Sequence, residues 1–244
     1  MEQTAQADPR SWKQVLWRLA ILAGCLSVPA FLTFLTVLVP YVRESMIANE
    51  IHSFGGHAYF EDTTPFWITQ AYGVRLPFCD RIYEVNLSRN SPQVGLLRKV
   101  GALTSLRELY LEGTLTDDVV IGSWGNLPKL EKLSLRRTRI TDLGLKRLRA
   151  SRLRFLALDD TSVTDTGIAH IGMIKVRELN KPYYMTGLHR LESLSLANTK
   201  ITDACLQHLT GLSYLKQLNV QNTKCTVPAL LPLQKDLPEC RIYY

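Results

Sequence analysis

Catalytic signatures are missing from this chain of 244 residues. It has no glycine-rich phosphate loop, no H-E-x-x-H, no G-x-S-x-G and no paired C-x-x-C. The usual sequence grounds for a nucleotide-dependent enzyme, a zinc protease, a serine hydrolase or a thiol redox domain are therefore absent. The five cysteines (Cys25, Cys79, Cys205, Cys225, Cys240) do not form a disulfide framework, and the five histidines are scattered. No catalytic residue, metal or cofactor is expected. Acidic residues are also in the minority, with 22 Asp and Glu against 29 Lys and Arg for a net charge of +7. No nucleic-acid motif accompanies the basic excess, so nucleic acid is not an expected partner.

What the chain does have is a period. L-x-x-L-x-L reads Leu106-Leu109-Leu111, Leu130-Leu133-Leu135, Leu153-Leu156-Leu158, Leu191-Leu194-Leu196 and Leu215-Leu218-Val220. A weaker copy opens the series at Ile82-Val85-Leu87, and another closes it at Leu237-Cys240-Ile242. Repeats near 24 residues signal a solenoid, in which each unit is too small to bury its apolar side alone and stacked neighbours share one core. The alternating segment predicts a short strand on the concave face, followed by a short convex helix.

A second motif follows each strand: Thr138-Arg139-Ile140-Thr141-Asp142, Thr161-Ser162-Val163-Thr164-Asp165 and Thr199-Lys200-Ile201-Thr202-Asp203. Thr114-Leu115-Thr116-Asp117 reads as the same motif one residue shorter. The apolar residue is expected to point inward. The Asp falls where a helix N-cap belongs, with its carboxylate accepting the orphan N–H groups of the first turn. The first Thr is expected to bond backbone groups between coils. On this alignment Cys225 joins the core column of Ile140, Val163 and Ile201. Cys205 joins the column of Gly144 and Gly167, and Cys240 joins the strand leucines. A Cys205–Cys225 bridge is left open. His170 and His208 share the outward helix column of Arg147, where solvated surface is expected.

These two motifs together resemble the leucine-rich-repeat family, over residues 81–244. The resemblance implies an α/β solenoid with short parallel strands on the concave face and short helices on the convex face, and a function in protein–protein recognition. The Thr-Asp variant resembles bacterial membrane-anchored members and also the repeats of some F-box proteins. The latter implies the alternative of a substrate-recognition subunit in a ubiquitin-ligase-like complex. The segment Phe54-Gly55-Gly56-His57-Ala58-Tyr59-Phe60 resembles the stretch that precedes the repeats in the bacterial type. An enzyme whose site is invisible in the sequence is the remaining alternative.

Residues 19–42 carry no charge and are bracketed by Arg18 and Arg43. As a helix they would span ~36 Å, enough for a hydrocarbon core of ~30 Å. Arg10, Lys13 and Arg18 precede the run, so the positive-inside bias predicts a cytoplasmic N-terminus and repeats outside the cytoplasm. The run is too long for an ordinary signal peptide, and the lipoprotein-like Leu22-Ala23-Gly24-Cys25 is interrupted upstream by Arg18. The expected organisation is a cytoplasmic segment 1–18, a transmembrane helix 19–42, a spacer and N-terminal cap 43–80, and the repeats 81–244.

Three surfaces are candidates for binding a protein partner. On the concave face, Tyr110 and Phe155 are aromatics on a scaffold, the usual interface anchors. There too, Glu112, Arg136 and Asp159 are expected to be neighbours of alternating sign, with Arg137 beside Asp160. Residues 129–154 hold ten basic residues against Glu131 and Asp142. Within them Lys146, Arg147 and Arg149 could attract an acidic partner or anionic lipid headgroups. Finally, Leu153 to Leu191 is 38 residues, about 14 too many, and the surplus at residues 175–186 contains Tyr183, Tyr184 and the adjoining Met185. Insertions of this kind leave a solenoid as loops, often at its binding side. Oligomeric state is not legible.

Overall fold

The structure is a computed structural model that describes residues 28–125, 127–148, 152–172, 174–175, 185–186 and 188–244. Helix α1 (Val28–Ser53) leads through a tight turn at Gly55, where φ is +78°, into strand β1 (His57–Glu61). Helix α2 (Phe66–Tyr72) and a 3-10 turn (Pro77–Cys79) precede β2 (Arg81–Asn86). Strand and helix then alternate through α3 (Val94–Val100), β3 (Glu108–Tyr110), α4 (Asp118–Ser123), β4 (Lys132–Ser134), α5 (Asp142–Arg147), β5 (Phe155–Ala157) and α6 (Asp165–Ile171). A small hairpin, β6 (Ile174–Lys175) and β7 (Met185–Thr186), is followed by β8 (Ser193–Ser195), α7 (Leu206–Leu209), β9 (Gln217–Asn219), α8 (Val227–Asp236) and β10 (Arg241–Tyr243). Eight strands form one sheet in the order β1-β2-β3-β4-β5-β8-β9-β10. Every pairing is parallel except that of β1 with β2.

The leucine columns account for this sheet. Val85, Leu109, Leu133, Leu156, Leu194 and Leu218 are direct partners in successive strands, and all are buried. Their neighbours on the sequence point out of the concave face, because side chains alternate along a strand. Helix residues such as Leu97, Ile121, Leu145, Ile168 and Leu209 close the same core from the convex side. The closing repeat departs from the expected frame. Ile242, not Cys240, pairs with Leu218. Cys240 is buried one coil after Leu215, and its N–H bonds Leu237 just as that of Leu215 bonds Leu212. The last coil is thus one residue short between its pre-strand and strand positions.

The Thr-Asp motif works differently from its expected form. Thr141, Thr164 and Thr202 are the N-caps, each hydroxyl accepting from the N–H two residues on. Asp142 and Asp165 are the first residues of their helices, where a carboxylate is favoured by the helix dipole. Their oxygens reach forward to the next cap. Asp142 accepts from Thr164 N–H at 2.8 Å and its hydroxyl at 2.6 Å, and Asp165 accepts likewise from Thr202 at 2.7 Å and 2.7 Å. Asp118 and Thr141, and Asp203 and Thr226, make the same double contact. The first Thr of each motif does not bridge coils. Thr114, Thr138, Thr161 and Thr199 donate to the carbonyl three residues back in their own turn.

The Gly144 and Gly167 column follows from this ladder, since a Cβ at either position would collide with the carboxylate of Asp118 or Asp142. The first copy is not shortened. Asp117 is its N-cap, accepting from Val119 and Val120, and Asp118 takes the ladder position. Thr116 therefore occupies the slot of Ile140, where its hydroxyl is paired with that of Thr114 at 2.7 Å. Backbone geometry repeats as well: Arg89, Gly113, Arg137, Asp160, Asn198 and Asn222 follow their strands with φ between +52° and +70°. This left-handed turn aims the N–H of Arg89, Gly113, Arg137, Asp160 and Asn198 at a carbonyl of the next coil.

The helix that leads into the N-terminal cap begins inside the expected membrane segment. Among the described residues no helix is long and apolar enough to cross a membrane. Residues 19–27 of the expected span lie outside the described residues. The remainder belongs to α1, which does not stop at Val42 but continues through Arg43 and Glu44 to Ser53, with Pro40 inside it. Its second half is part of the solenoid cap. Ile47, Ala48 and Ile51 are buried in the common core, and Glu44 Oε2 accepts from Ile82 N–H at 2.7 Å. Strand β1 covers the free edge of β2, which protects it from pairing with another chain.

Candidate interaction surfaces

The concave face is a patterned polar sheet. One column runs Glu84, Glu108, Lys132, Phe155, Ser193, Gln217, and the next runs Asn86, Tyr110, Ser134, Ala157, Ser195, Asn219. Lys132 Nζ pairs with Glu108 at 2.8 Å. Tyr110 donates its hydroxyl to the other oxygen of Glu108 at 2.6 Å. Burial and this acceptor push the Tyr110 phenol up, so it remains a donor. Burial acts to raise Glu108, but Lys132 and Tyr110 outweigh it and leave the carboxyl below its ordinary value. Glu84 moves the other way, raised by burial and by the charge of Glu108.

Tyr110 and Phe155 therefore differ. Tyr110 is half-buried and its polar end is engaged. Phe155 is 36% exposed, and its ring centroid lies 5.7 Å from Lys132 Nζ and 5.9 Å from the Arg154 guanidinium. Both cations lie within cation–π range of the ring. Arg154 is itself fixed by Glu192 at 2.5 Å, and Lys216 meets the same carboxylate at 3.0 Å. These hydrogen bonds hold Glu192 below its ordinary value.

Four of the ten basic residues of the band are paired with acids from other coils. Lys132 pairs with Glu108, Arg136 with Asp159 at 2.5 Å, Arg137 with Asp160 at 3.4 Å, and Arg154 with Glu192. Asp159 is nearly buried. One of its oxygens also accepts from the Ser195 hydroxyl and, at 3.0 Å, from Ala197 N–H. Glu112 meets Arg89 and Arg137 at 4.0 Å, so the expected Glu112–Arg136–Asp159 succession is realised only in its second half. Lys146 and Arg147 stand exposed on α5, with Arg147 Nη1 donating to the Asp118 carbonyl at 3.3 Å. Arg149 lies outside the described residues.

The insertion springs from the end of α6. Its base is the hairpin β6–β7, in which Met185 pairs with Lys175 and Thr186 with Ile174. Tyr183 and Tyr184 lie outside the described residues. Cys205 and Cys225 are unbridged. The Cys225 thiol beside Cys205, together with burial, pushes the Cys205 thiol up. No group of His, Cys, Asp and Glu that could hold a metal ion occurs among the described residues.

One surface escaped the sequence reading. Helix α2 has no buried residue, and Phe66, Trp67, Tyr72 and Val74 are 77%, 64%, 71% and 48% exposed. Its signal was the run of aromatics in a segment with no repeat periodicity.

No protein-family model matches the chain, and no curated protein matches it significantly. Among solved structures it is similar to a leucine-rich-repeat protein of Leptospira interrogans, with 22% identity and a TM-score of 0.40. The match covers 60% of this chain and 33% of that one, so the chain spans about a third of that protein's length. Internalin C2 of Listeria monocytogenes is similar at 22% identity and a TM-score of 0.46, covering 72% of this chain and 79% of that one. The Arabidopsis receptor kinase HAESA, solved with a peptide hormone and a co-receptor, is similar at 14% identity and a TM-score of 0.48, covering 83% and 33%. The fold of the present chain, read from its own repeats, is a leucine-rich-repeat solenoid.

Proposed function

We propose that the chain is a non-enzymatic, membrane-tethered protein-interaction module whose partner docks on the concave face around Phe155. The observation that carries this reading is the exposed Phe155 ring on a sheet face, with Lys132 and Arg154 within cation–π range of it. An exposed aromatic anchor with charges at its rim is the kind of side chain that protein interfaces use. The tether reading is supported by the uncharged run 19–42 and the cations that precede it, which orient the N-terminus toward the cytoplasm and the repeats away from it. Crosslinking in intact cells followed by identification of the captured protein tests the function. Three variants then locate its site: Phe155→Ala, a chain with residues 175–186 shortened to the neighbouring repeat length, and Lys146, Arg147 and Arg149 changed together to Gln. Loss of capture in the first alone is the expected result. Loss in the second or third alone moves the site to the insertion or to the basic band.

A further inference from the structure

Helix α1 and the sheet share a direction. Glu44 is level with Ile82 at the start of β2, through the 2.7 Å bond to its N–H. Ile51 is level with the other end of that strand, since Gly56 sits against both Ile51 and Leu87. Residues 28–43 therefore extend past the edge at which β2 begins, by ~24 Å at 1.5 Å per residue. Strand β1 runs back to that same edge, where Glu61 lies opposite Arg81. Its continuation, which includes α2, leaves there too. The apolar half of α1 and the exposed aromatics of α2 thus depart from one side of the domain.

All the later parallel strands begin on this side as well. The loops that feed them carry exposed Lys129, Arg152 and Arg190, beside Lys216, which is paired with Glu192, and β10 opens with Arg241. An apolar helix, four exposed apolar side chains and a row of cations on one edge form a specific combination. Trp and Tyr suit the headgroup level of a bilayer, and cations suit its anionic surface. A second copy docking edge to edge would set these cations against one another.

We propose that this strand-start edge lies against anionic lipid headgroups of the non-cytoplasmic leaflet of a bilayer, with Phe66, Trp67, Tyr72 and Val74 seated at headgroup level and Lys129, Arg152 and Arg190 over the lipid phosphates. The inference rests on the reading of residues 19–42 as an anchor and adds which face of the solenoid the membrane meets.

The full chain reconstituted with vesicles of brominated phosphatidylcholine, with and without phosphatidylserine, provides the test. The difference in emission between the wild type and Trp67→Phe isolates Trp67 from Trp12, Trp17 and Trp124. Trp67 should be quenched at least twofold, and more strongly with phosphatidylserine present. Changing Lys129, Arg152 and Arg190 to Gln should abolish that lipid preference. A chain that floats with the vesicles while Trp67 stays unquenched overturns this edge and leaves the anchor standing. A chain that does not float overturns the anchor reading and this proposal with it. Quenching indifferent to phosphatidylserine overturns the role given to the cations.

Discussion

Asp142 holds Thr164 of the following coil at two points, the backbone N–H at 2.8 Å and the hydroxyl at 2.6 Å. The same threonine oxygen caps its own helix by accepting from Thr166 N–H. One carboxylate thus fixes the cap that starts the next helix.

Asp142→Ala should lower stability by about 2 kcal/mol, because it strands two partly buried donors as well as removing a charge from the first helical turn. Asp203→Ala should cost about half as much, since its partner Thr226 is exposed to water. Chemical denaturation of the detergent-solubilised chain measures both. Equal costs would show that the rungs act independently of burial.

Leu133 sits fully inside the shared core, paired with Leu109 and Leu156. Leu133→Ala should cost ~2–5 kcal/mol, the transfer of its methyl groups plus the cavity left behind. A neutral substitution would contradict the strand register.

Glu44 predicts a pH dependence. Burial raises its carboxyl above the ordinary 4.5, against the N–H of Ile82 and the charges of Arg81 and Arg43, which pull it down. A carboxyl whose folded value lies above its unfolded one binds more protons in the folded state. Its stabilisation is complete below 4.5 and is lost as pH rises through the higher, folded value. Glu44→Gln keeps an acceptor for Ile82 and should flatten that part of the stability curve. Denaturation midpoints followed upward from pH 4.5 report the slope, and an unchanged slope in Glu44→Gln would assign it to another group.

Among residues with a left-handed backbone, Arg137 and Gly113 occupy the same position in adjacent coils, at φ +52° and +70°. Gly113→Ala should therefore destabilise by about 1 kcal/mol, whereas Arg137→Gly should stabilise by roughly 0.5 kcal/mol. The ion pairs of Arg137 at 3.4 and 4.0 Å are solvent-exposed and contribute little against this. Thermal unfolding of the two variants should shift in opposite directions.

Phe155→Ala should change stability by less than about 1 kcal/mol, because its ring is exposed at one side. It should weaken partner binding by about 2 kcal/mol, roughly thirtyfold. Tyr110→Phe tests the neighbouring hydroxyl separately, through the Glu108 bond it removes. Titration of the captured partner against each variant distinguishes them.

The strand leucines of the five strong copies are legible to the residue, because burial on one face of a two-residue alternation leaves no freedom of register, whereas the closing copy, one residue short, puts Ile242 and not Cys240 in that column. The motif that follows them was legible in position but not in role. Asp142 and Thr141 are adjacent in sequence, and only the stacking of coils reveals that the aspartate serves Thr164 while the threonine caps its own helix. Thr116 hid the first copy because a hydroxyl stands in an apolar slot, made tolerable by Thr114. The basic band misled for a related reason. A window of sequence contains Glu131 and Asp142, whereas the acids that meet Lys132, Arg136 and Arg154 are Glu108, Asp159 and Glu192, which arrive from other turns of the solenoid. Helix α2 carries no periodicity to read, so its aromatics emerged only with their exposure.

The aspartate rungs also have a polarity. Each coil offers acceptors to the coil made after it and places its own threonine donors on the aspartate of the one before. The series opens at Asp118, one coil after a helix that begins Gln93-Val94 and supplies no carboxylate, and there Asp117 replaces the receiving threonine. It closes at Thr226, which receives Asp203 but is followed by Val227 and Pro228 and hands nothing onward. A chain emerging from its N-terminus would complete one rung with every coil added and would never hold an unmet threonine cap. A fragment truncated from the C-terminus leaves only solvated carboxylates behind. One truncated from the N-terminus leaves donors without acceptors, so the two kinds of deletion should differ sharply in how much of the solenoid survives.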